Sequence, residues 1–512
     1  MLYDNGNLKE LFYIICITLH FNSKFFHVSS FLCILLRAYL KIIFKMTEQR
    51  DTNIVGNKDW NGLHSPQIYM AMSAILCGLF FAVMDGTVCN VALPTLAEEL
   101  NISSSDSIWI VNAFQLVIIM MLLPFATLGE LYSYRKIYLW GMVTFTIGSL
   151  FCALSSTFEQ LIAARVVHGI GAAMVMSVNV SLVKLIYPKR HLGKGIGLNS
   201  MVVALGLVIG PVFTGAVLSV TSWQWLFIVN IPFGIATVIL ARRSLPENPT
   251  KIMGRHFDIK EALLNALTFG LFIGCFEALS HDTDIMVVIV GAVLFVIVTM
   301  AFIRNQKHKP YPMLPLDLLS LPVFSMSVIT SIISFASQML AMIAMPFLLT
   351  HSFGYDAAQT GLLMTSYPVV IFFVAPISGL LINRMNPEIL CAVGLFILCI
   401  GSFLLASIPE GSGFWDIAWR FALCGMGFGF FQSPNNHLII SAAPQHRAGS
   451  AGGMLASARM IGQTLGAACV AMLFHFYGNE GTVASLMLGG ILSLLGMTSS
   501  VVRYYRMRNY KN

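Results

Sequence analysis

The stretch Phe80-Phe81-Ala82-Val83-Met84-Asp85-Gly86-Thr87-Val88-Cys89-Asn90-Val91-Ala92-Leu93-Pro94 decides how the rest of the chain is read. It lies within an apolar run over 68–93, long enough to cross a hydrocarbon core as a helix. Its apolar residues are continuous rather than alternating. In lipid only helices and closed barrels satisfy their own backbone groups, so a helix is predicted. One carboxylate, Asp85, falls near mid-span. An ionised carboxylate is costly there, whereas one that takes up and returns a proton is useful, and a low dielectric favours its protonated form. The alternative is a hydrogen-bonded structural aspartate.

Outward from this run, apolar spans are predicted near 107–128, 137–155, 160–187, 194–220, 224–241, 259–280, 285–303, 323–350, 357–382, 389–408, 415–442, 448–476 and 483–503, fourteen in all. The composition agrees: 57% hydrophobic, 10% charged, mean hydropathy +0.79 over 512 residues. A soluble domain carries roughly 25% charged residues, so much of this surface must meet lipid. A net charge of +7 would suit a nucleic-acid binder, but the placement of the basic residues excludes that reading. They fall on the side that holds 46–65: Arg135 and Lys136; Lys189, Arg190 and Lys194; Arg242, Arg243, Lys251 and Arg255; Arg304, Lys307 and Lys309; Arg384; Arg447; and Arg503, Arg506, Arg508 and Lys511. Loops on the opposite side contain no Lys or Arg. This bias sets orientation and predicts both termini in the cytoplasm of a plasma membrane, the inner membrane if the cell is Gram-negative.

The ten cysteines form no CxxC and the twelve histidines no HExxH, so neither a disulfide framework nor a metal site is expected, and no cofactor. Residues 1–45 are either a membrane-associated amphipathic segment or an upstream translation of a protein that starts at Met46, and the reading favours Met46.

An internal repeat links the two ends of the chain. Gly197, Gly206 and Gly210 recur 256 positions later as Gly453, Gly462 and Gly466, and Gly169 and Gly171 as Gly425 and Gly427. Intramembrane arginines, Arg165 and Arg420, precede these last pairs, and Ala92-Leu93-Pro94 is echoed by Ala344-Met345-Pro346. The predicted organisation is a leader over 1–67, a six-helix bundle over 68–242, two inserted helices with linkers over 243–310, a second six-helix bundle over 311–505, and a tail over 506–512. Parallel halves around a central cavity are a transporter architecture.

Several motifs carry chemistry. Arg165 cannot deprotonate, so it must be paired, hydrated or facing a cavity; the plain alternative is an ion pair that holds helices together. Gly206 and Gly210 put two side-chain-free positions on one helical face, and Pro211 can bend the span. Gly129, Glu130, Arg135 and Lys136 occupy a short turn that either holds the inner side shut or is merely solvated. Asn112 and Gln115 share a helix face by their spacing. With Arg420, Asn435 and Arg459 they are candidate lining of the cavity, although the two arginines fit structural ion pairs equally well.

Taken together, these residues resemble the major facilitator superfamily in its fourteen-span drug–proton antiporter branch, over about 440 residues. The run around Asp85 is similar to that branch's first-helix motif, Leu128 to Lys136 to the cytoplasmic gating motif, and Arg165 to Ala172 to the fourth-helix arginine motif. Gly197, Gly206, Gly210, Pro211 and Gly215 are similar to the fifth-helix antiporter motif. Departures occur: Glu130 stands where Asp is usual, and Thr214 where a glycine is. The resemblance implies an all-α integral membrane fold, with coupling through Asp85 and Arg165. It implies export of apolar or cationic small molecules in exchange for protons, with a periplasmic or outer-membrane partner left open. The alternatives are a metabolite facilitator or symporter (for a siderophore, a sugar derivative or a lipid precursor), and a membrane sensor or enzyme on the same fold. N-terminal sequencing of the cellular chain is expected to read from Met46; peptides from 1–45 would show the leader to be translated.

Overall fold

The computed structural model describes residues 63, 65–187, 192–247, 257–280, 285–307, 316–382, 384–409, 411–443 and 448–511. Nearly all of the predicted leader, and Lys189, Arg190, Lys251, Arg255, Lys309 and Arg447, lie outside them. The described residues are helical throughout, without strands. The first half contains α1 (Ser65–Glu99), α2 (Trp109–Leu131), α3 (Tyr134–Leu154), α4 (Phe158–Ile186), α5 (Leu192–Leu218) and α6 (Asn230–Ser244). Then come α7 (Ile259–Ser280) and α8 (Ile285–Lys307). The second half contains α9 (Pro322–Phe347), α10 (Ser366–Leu381), α11 (Pro387–Ala406), α12 (Phe414–Ala442), α13 (Ala448–Tyr477) and α14 (Gly481–Lys511).

Twelve of the described helical segments are long and apolar enough to cross a membrane. α7, with 22 residues, has the length, and α12, with 29, has the length but not the uniform apolarity. α7 begins with Lys260 and Glu261, and α12 carries Asp416, Arg420, Asn435 and Asn436. α8 is the opposite extreme: in its most apolar stretch only 6% of residues are buried, so away from the face that packs on α7 it presents Ile, Val and Met to the surroundings. An apolar helix without a polar face has lipid as its natural solvent.

The packing repeats between the halves. α1 packs on α5 and α6, α2 on α4, and α3 on α4 and α6; equivalently α9 packs on α13 and α14, α10 on α12, and α11 on α12 and α14. The duplicated glycines explain this pairing. A methyl on Gly206 would meet the Phe80 carbonyl at 3.3 Å, and one on Gly210 would collide with Thr87. Gly462 and Gly466 face Ile332, Phe335, Ala336 and Met339 on α9, the positions 252 residues beyond Phe80, Val83, Met84 and Thr87. Such small-residue contacts let helices approach where no hydrophobic force drives them together.

Contact between the halves is one-sided. At the end away from the basic loops a single apolar core joins Phe81, Val88 and Ile118 to Met339, Phe347 and Phe474. There Ser105 donates across the seam to the Ala471 carbonyl at 3.0 Å, and a methyl on Gly215 would lie 2.7 Å from the Ala357 carbonyl. At the basic end the core divides in two: Ile68, Met72, Tyr138 and Leu182 in the first half, Phe324, Val328, Ile439 and Met454 in the second.

Prolines inside helices leave the carbonyl four residues earlier without its helical donor. Pro124 orphans Met120 O, and Asn265 of α7 supplies the missing donor at 2.8 Å. Pro434 orphans Phe430 O, which accepts from Ser378 of α10 at 3.0 Å. α7 also packs on α13, so it bridges both halves. Asn265→Leu is expected to destabilise the protein by about 1 kcal/mol, the usual scale of an interhelical hydrogen bond in lipid. Thermal unfolding in detergent would check this, and an unchanged midpoint would show the α2–α7 contact to be idle.

Candidate functional site

The first half encloses a polar centre. Asp85 of α1 and Arg165 of α4 are 1% and 0% exposed, and Arg165 Nη1 donates to Asp85 Oδ2 at 2.6 Å. Arg165 Nε donates to the Ile110 carbonyl of α2 at 3.0 Å, and its guanidinium lies 4.0 Å from the centre of the Phe114 ring. Asn230 of α6 donates to Asp85 Oδ1 at 3.4 Å and to Ser149 Oγ at 3.2 Å, and Ser149 donates to the Phe227 carbonyl. Five helices thus supply one carboxylate, one guanidinium and the groups that hold them. Burying two charges is tolerable when they are paired and hydrogen-bonded, although Arg165 Nη2 and Asn230 Oδ1 have no partner among the described residues. Glycines allow the approach. A methyl on Gly148 would lie 2.5 Å from His168 Cα, so its absence lets α4 close on α3 beside the pair. Gly206 and Gly210 seat α5 against Phe80, Val83, Met84 and Thr87, the turns that flank Asp85. Gly197 lies in α5, one helix with the other motif residues.

Next to this centre, between the halves, is a small cavity with enclosed room for about one water molecule. Thr87, Asn90, Leu207 and Pro211 line it from the first half, and Gln338, Met342, Met364 and Tyr367 from the second. Asn90 Oδ1, Gln338 Oε1 and the Tyr367 hydroxyl are buried, with no well-formed hydrogen bond among the described residues. Asp85 is two residues from Thr87 and five from Asn90 along α1, but it points away into the sealed centre.

Arg420 takes the second of the two roles the sequence left open, a structural ion pair, and does not line this cavity. It pairs with Asp416 at 3.1 Å at the start of α12, donates to the Leu404 carbonyl, and stacks beside Trp419. The repeat offset explains the difference: Arg165 corresponds to Phe421, and a shift of one residue turns a helical side chain by about 100°. Asn435 is also removed from the lining. It is fully buried, donating to Ser331 Oγ at 2.8 Å and accepting from Arg503 Nη1 at 3.1 Å. Arg503, assigned by sequence to a basic terminus, is 1% exposed and also donates to Ser327. Asn112 and Gln115 are buried on α2 beside the Arg165 contacts, with Asn112 Nδ2 and Oδ1 and Gln115 Oε1 unpartnered, and they do not line this cavity. Arg459 lies on α13, half-buried, its Nε without a partner among the described residues.

At the gating motif, Arg135 donates to the Arg242 carbonyl at 2.6 Å and meets Glu247 at 3.5 Å, so it ties the α2–α3 turn to the end of α6. Gly129 leaves room for Tyr134 and Val178, and Ser133 caps α3 at the Lys136 amide. Glu130 lies in the last turn of α2.

Residues 75–467 and 327–512 match the profile of the Major Facilitator Superfamily. The chain belongs to this superfamily. It is 45% identical over 449 residues, 88% of its length and 98% of the relative's, to "Uncharacterized transporter YebQ" of Escherichia coli. It is 28% identical to "Riboflavin transporter RibZ" of Clostridioides difficile, covering 80% of this chain and 88% of that one. It is also 28% identical to "Multidrug resistance protein Stp" of Mycobacterium tuberculosis, covering 76% and 72%. Among solved structures, a POT family transporter superposes with TM-score 0.67 at 14% identity (85% of this chain, 96% of that one). A D-xylose–proton symporter does so with TM-score 0.62 at 13% identity, covering 85% and 97%. This member of the superfamily is therefore a multi-pass membrane transporter.

His168 and Asn230 complete the centre and were not among the predicted site residues. The signal for His168 was its place one helical turn after Arg165. Arg165→Leu is expected to cost about 3–5 kcal/mol at neutral pH, because it strands a buried carboxylate. The loss should shrink when Asp85→Asn is made in the same chain, because no carboxylate is then stranded, and thermal unfolding in detergent checks this. Equal losses in both backgrounds would refute the pairing as drawn.

Proposed function

We propose that this transporter exports small apolar or cationic molecules in exchange for protons, by alternating access. The observation that carries this reading is the sealed Asp85–Arg165 pair one helical turn from a cavity shared by both halves. A proton on Asp85 cancels the anion that holds Arg165. The resulting strain is delivered to α1, whose next turn carries Thr87 and Asn90 in the cavity wall. Proton uptake and substrate release then compete through one helix.

The cavity wall suits ligands that donate hydrogen bonds. Pro94, Pro211, Pro346 and Pro368 each deprive a carbonyl of its donor, those of Asn90, Leu207, Met342 and Met364, and all four residues line the cavity. With Asn90 Oδ1 and Gln338 Oε1 the wall is rich in acceptors; the Tyr367 and Thr87 hydroxyls add polar groups, and the rest is apolar. An amphipathic compound bearing N–H groups, charged or neutral, fits that lining.

In this reading the membrane spans number fourteen, with α7 and α12 counted among them. Bundles over 68–242 and 311–505 flank the inserted pair, and both termini are cytoplasmic in the plasma membrane. The basic end is then the cytoplasmic end, and the divided core there makes this the inward-open arrangement. Gly206, Gly210, Pro211 and Gly215 form the flexible seam of α5. Gly129, Glu130, Arg135 and Lys136 form a latch that re-engages when the inner side closes. The multidrug resistance relative supports drugs as substrates. The riboflavin relative supports a metabolite instead, and efflux that persists after the proton gradient is dissipated would favour that second reading.

The test is reconstitution in vesicles with an imposed pH gradient, using ethidium and riboflavin as probes. Wild-type protein is expected to concentrate a probe against its gradient. Asp85→Asn is expected to lose that accumulation while still equilibrating the probe downhill. Accumulation by the variant at the wild-type rate would overturn the role of Asp85.

A further inference from the structure

His168 Nδ1 stands 3.1 Å from Arg165 Nη1 and 3.7 Å from Asp85 Oδ2. A guanidinium has donors only, so Nδ1 must present its lone pair and the ring hydrogen sits on Nε2. Nε2 is buried without a partner among the described residues, and the ring is enclosed by Phe145, Phe114 and Phe227 at centroid distances of 4.1, 5.4 and 6.3 Å. The titratable and charged groups around it are Asp85 and Cys89 from α1, Cys152 from α3 and Arg165 from its own helix; α2 contributes only Phe114 and the Ile110 carbonyl, and α6 only Asn230.

These groups carry no net charge while Asp85 is ionised. A proton on Nδ1 would set N–H against N–H and add a second cation to a phenylalanine-lined pocket. A proton on Asp85 instead makes it an uncharged, weaker acceptor, and Arg165 then leans more on its others, among them the Ile110 carbonyl and Nδ1 of His168. We infer that His168 is a positioning residue that stays neutral and holds the Arg165 guanidinium in place when Asp85 is protonated. It lowers the cost of loading the proton and keeps Arg165 ready to recapture Asp85 on release. This rests on the coupling role proposed for Asp85 but needs no knowledge of the substrate.

The test is an infrared titration of the full chain in detergent, following the protonated-carboxyl band that Asp85→Asn removes. His168→Leu lacks the acceptor, so the protonated state loses more than the ionised one. The half-point of the band should move toward acid by about one pH unit or more, the scale of a charge-assisted hydrogen bond. His168→Gln offers a neutral acceptor and should restore the wild-type half-point. His168→Met, similar in volume, replaces the Leu variant if that does not fold. An unmoved half-point in the Leu or Met protein, a Gln variant that behaves like Leu, or the absence of any band sensitive to Asp85→Asn would overturn the inference. A band that titrates as described in a protein showing no gradient-driven flux would leave it standing and remove only the exporter reading.

Discussion

A carboxylate and a guanidinium 2.6 Å apart, sealed from both water and lipid, set the terms on which the first half of the molecule is built. Either charge alone would be worth several kcal/mol of destabilisation, and each has more hydrogen-bonding capacity than the other can satisfy. The remaining partners come from a backbone carbonyl on α2, an amide on α6 and a ring nitrogen on α4. All must arrive together, which explains the close passage of α4 against α3 at Gly148 and of α5 against α1 at Gly206 and Gly210. Packing and charge therefore constrain one another: without the glycines the helices stand too far apart to complete the cluster.

The second half repeats the packing without the chemistry. At the position equivalent to Asp85 stands Ser337, which bonds the Gly489 carbonyl and Ser493 on α14. At the position equivalent to Arg165 stands Phe421, packed against Tyr367. The polar investment of this half lies instead near the basic end, where Arg503 gathers Ser327 and Asn435. Among the described residues, only the first copy of the duplicated scaffold holds a fully buried ion pair, and the second contributes wall and packing.

Between the halves the same logic appears in backbone form. Helix-breaking prolines in lipid are tolerated where a neighbour restores the lost donor or where the backbone meets a cavity. Pro124 and Pro434 follow the first course, through Asn265 and Ser378. Pro94, Pro211, Pro346 and Pro368 follow the second, each freeing a carbonyl on a residue of the cavity wall.

The all-helical membrane fold, the order of its elements and the pairing of its repeat were legible in the chain itself, because hydropathy and glycine spacing are local signals. So was the placement of Asp85 and Arg165 inside apolar spans, where ionisable groups are few. Their partners were not legible: Ile110 acts through a carbonyl every residue possesses, and His168 and Asn230 become meaningful only when α4 and α6 close on α1. Arg420 shows the limit most sharply. It sits one residue from the repeat-equivalent position, a difference small in sequence and about 100° on a helix, enough to exchange the interior for a surface pair with Asp416. Sequence periodicity determined what the helices are and which face of each is bare. Tertiary packing alone decided which side chains share a buried charge, because that depends on how five helices from distant parts of the chain are rotated against one another.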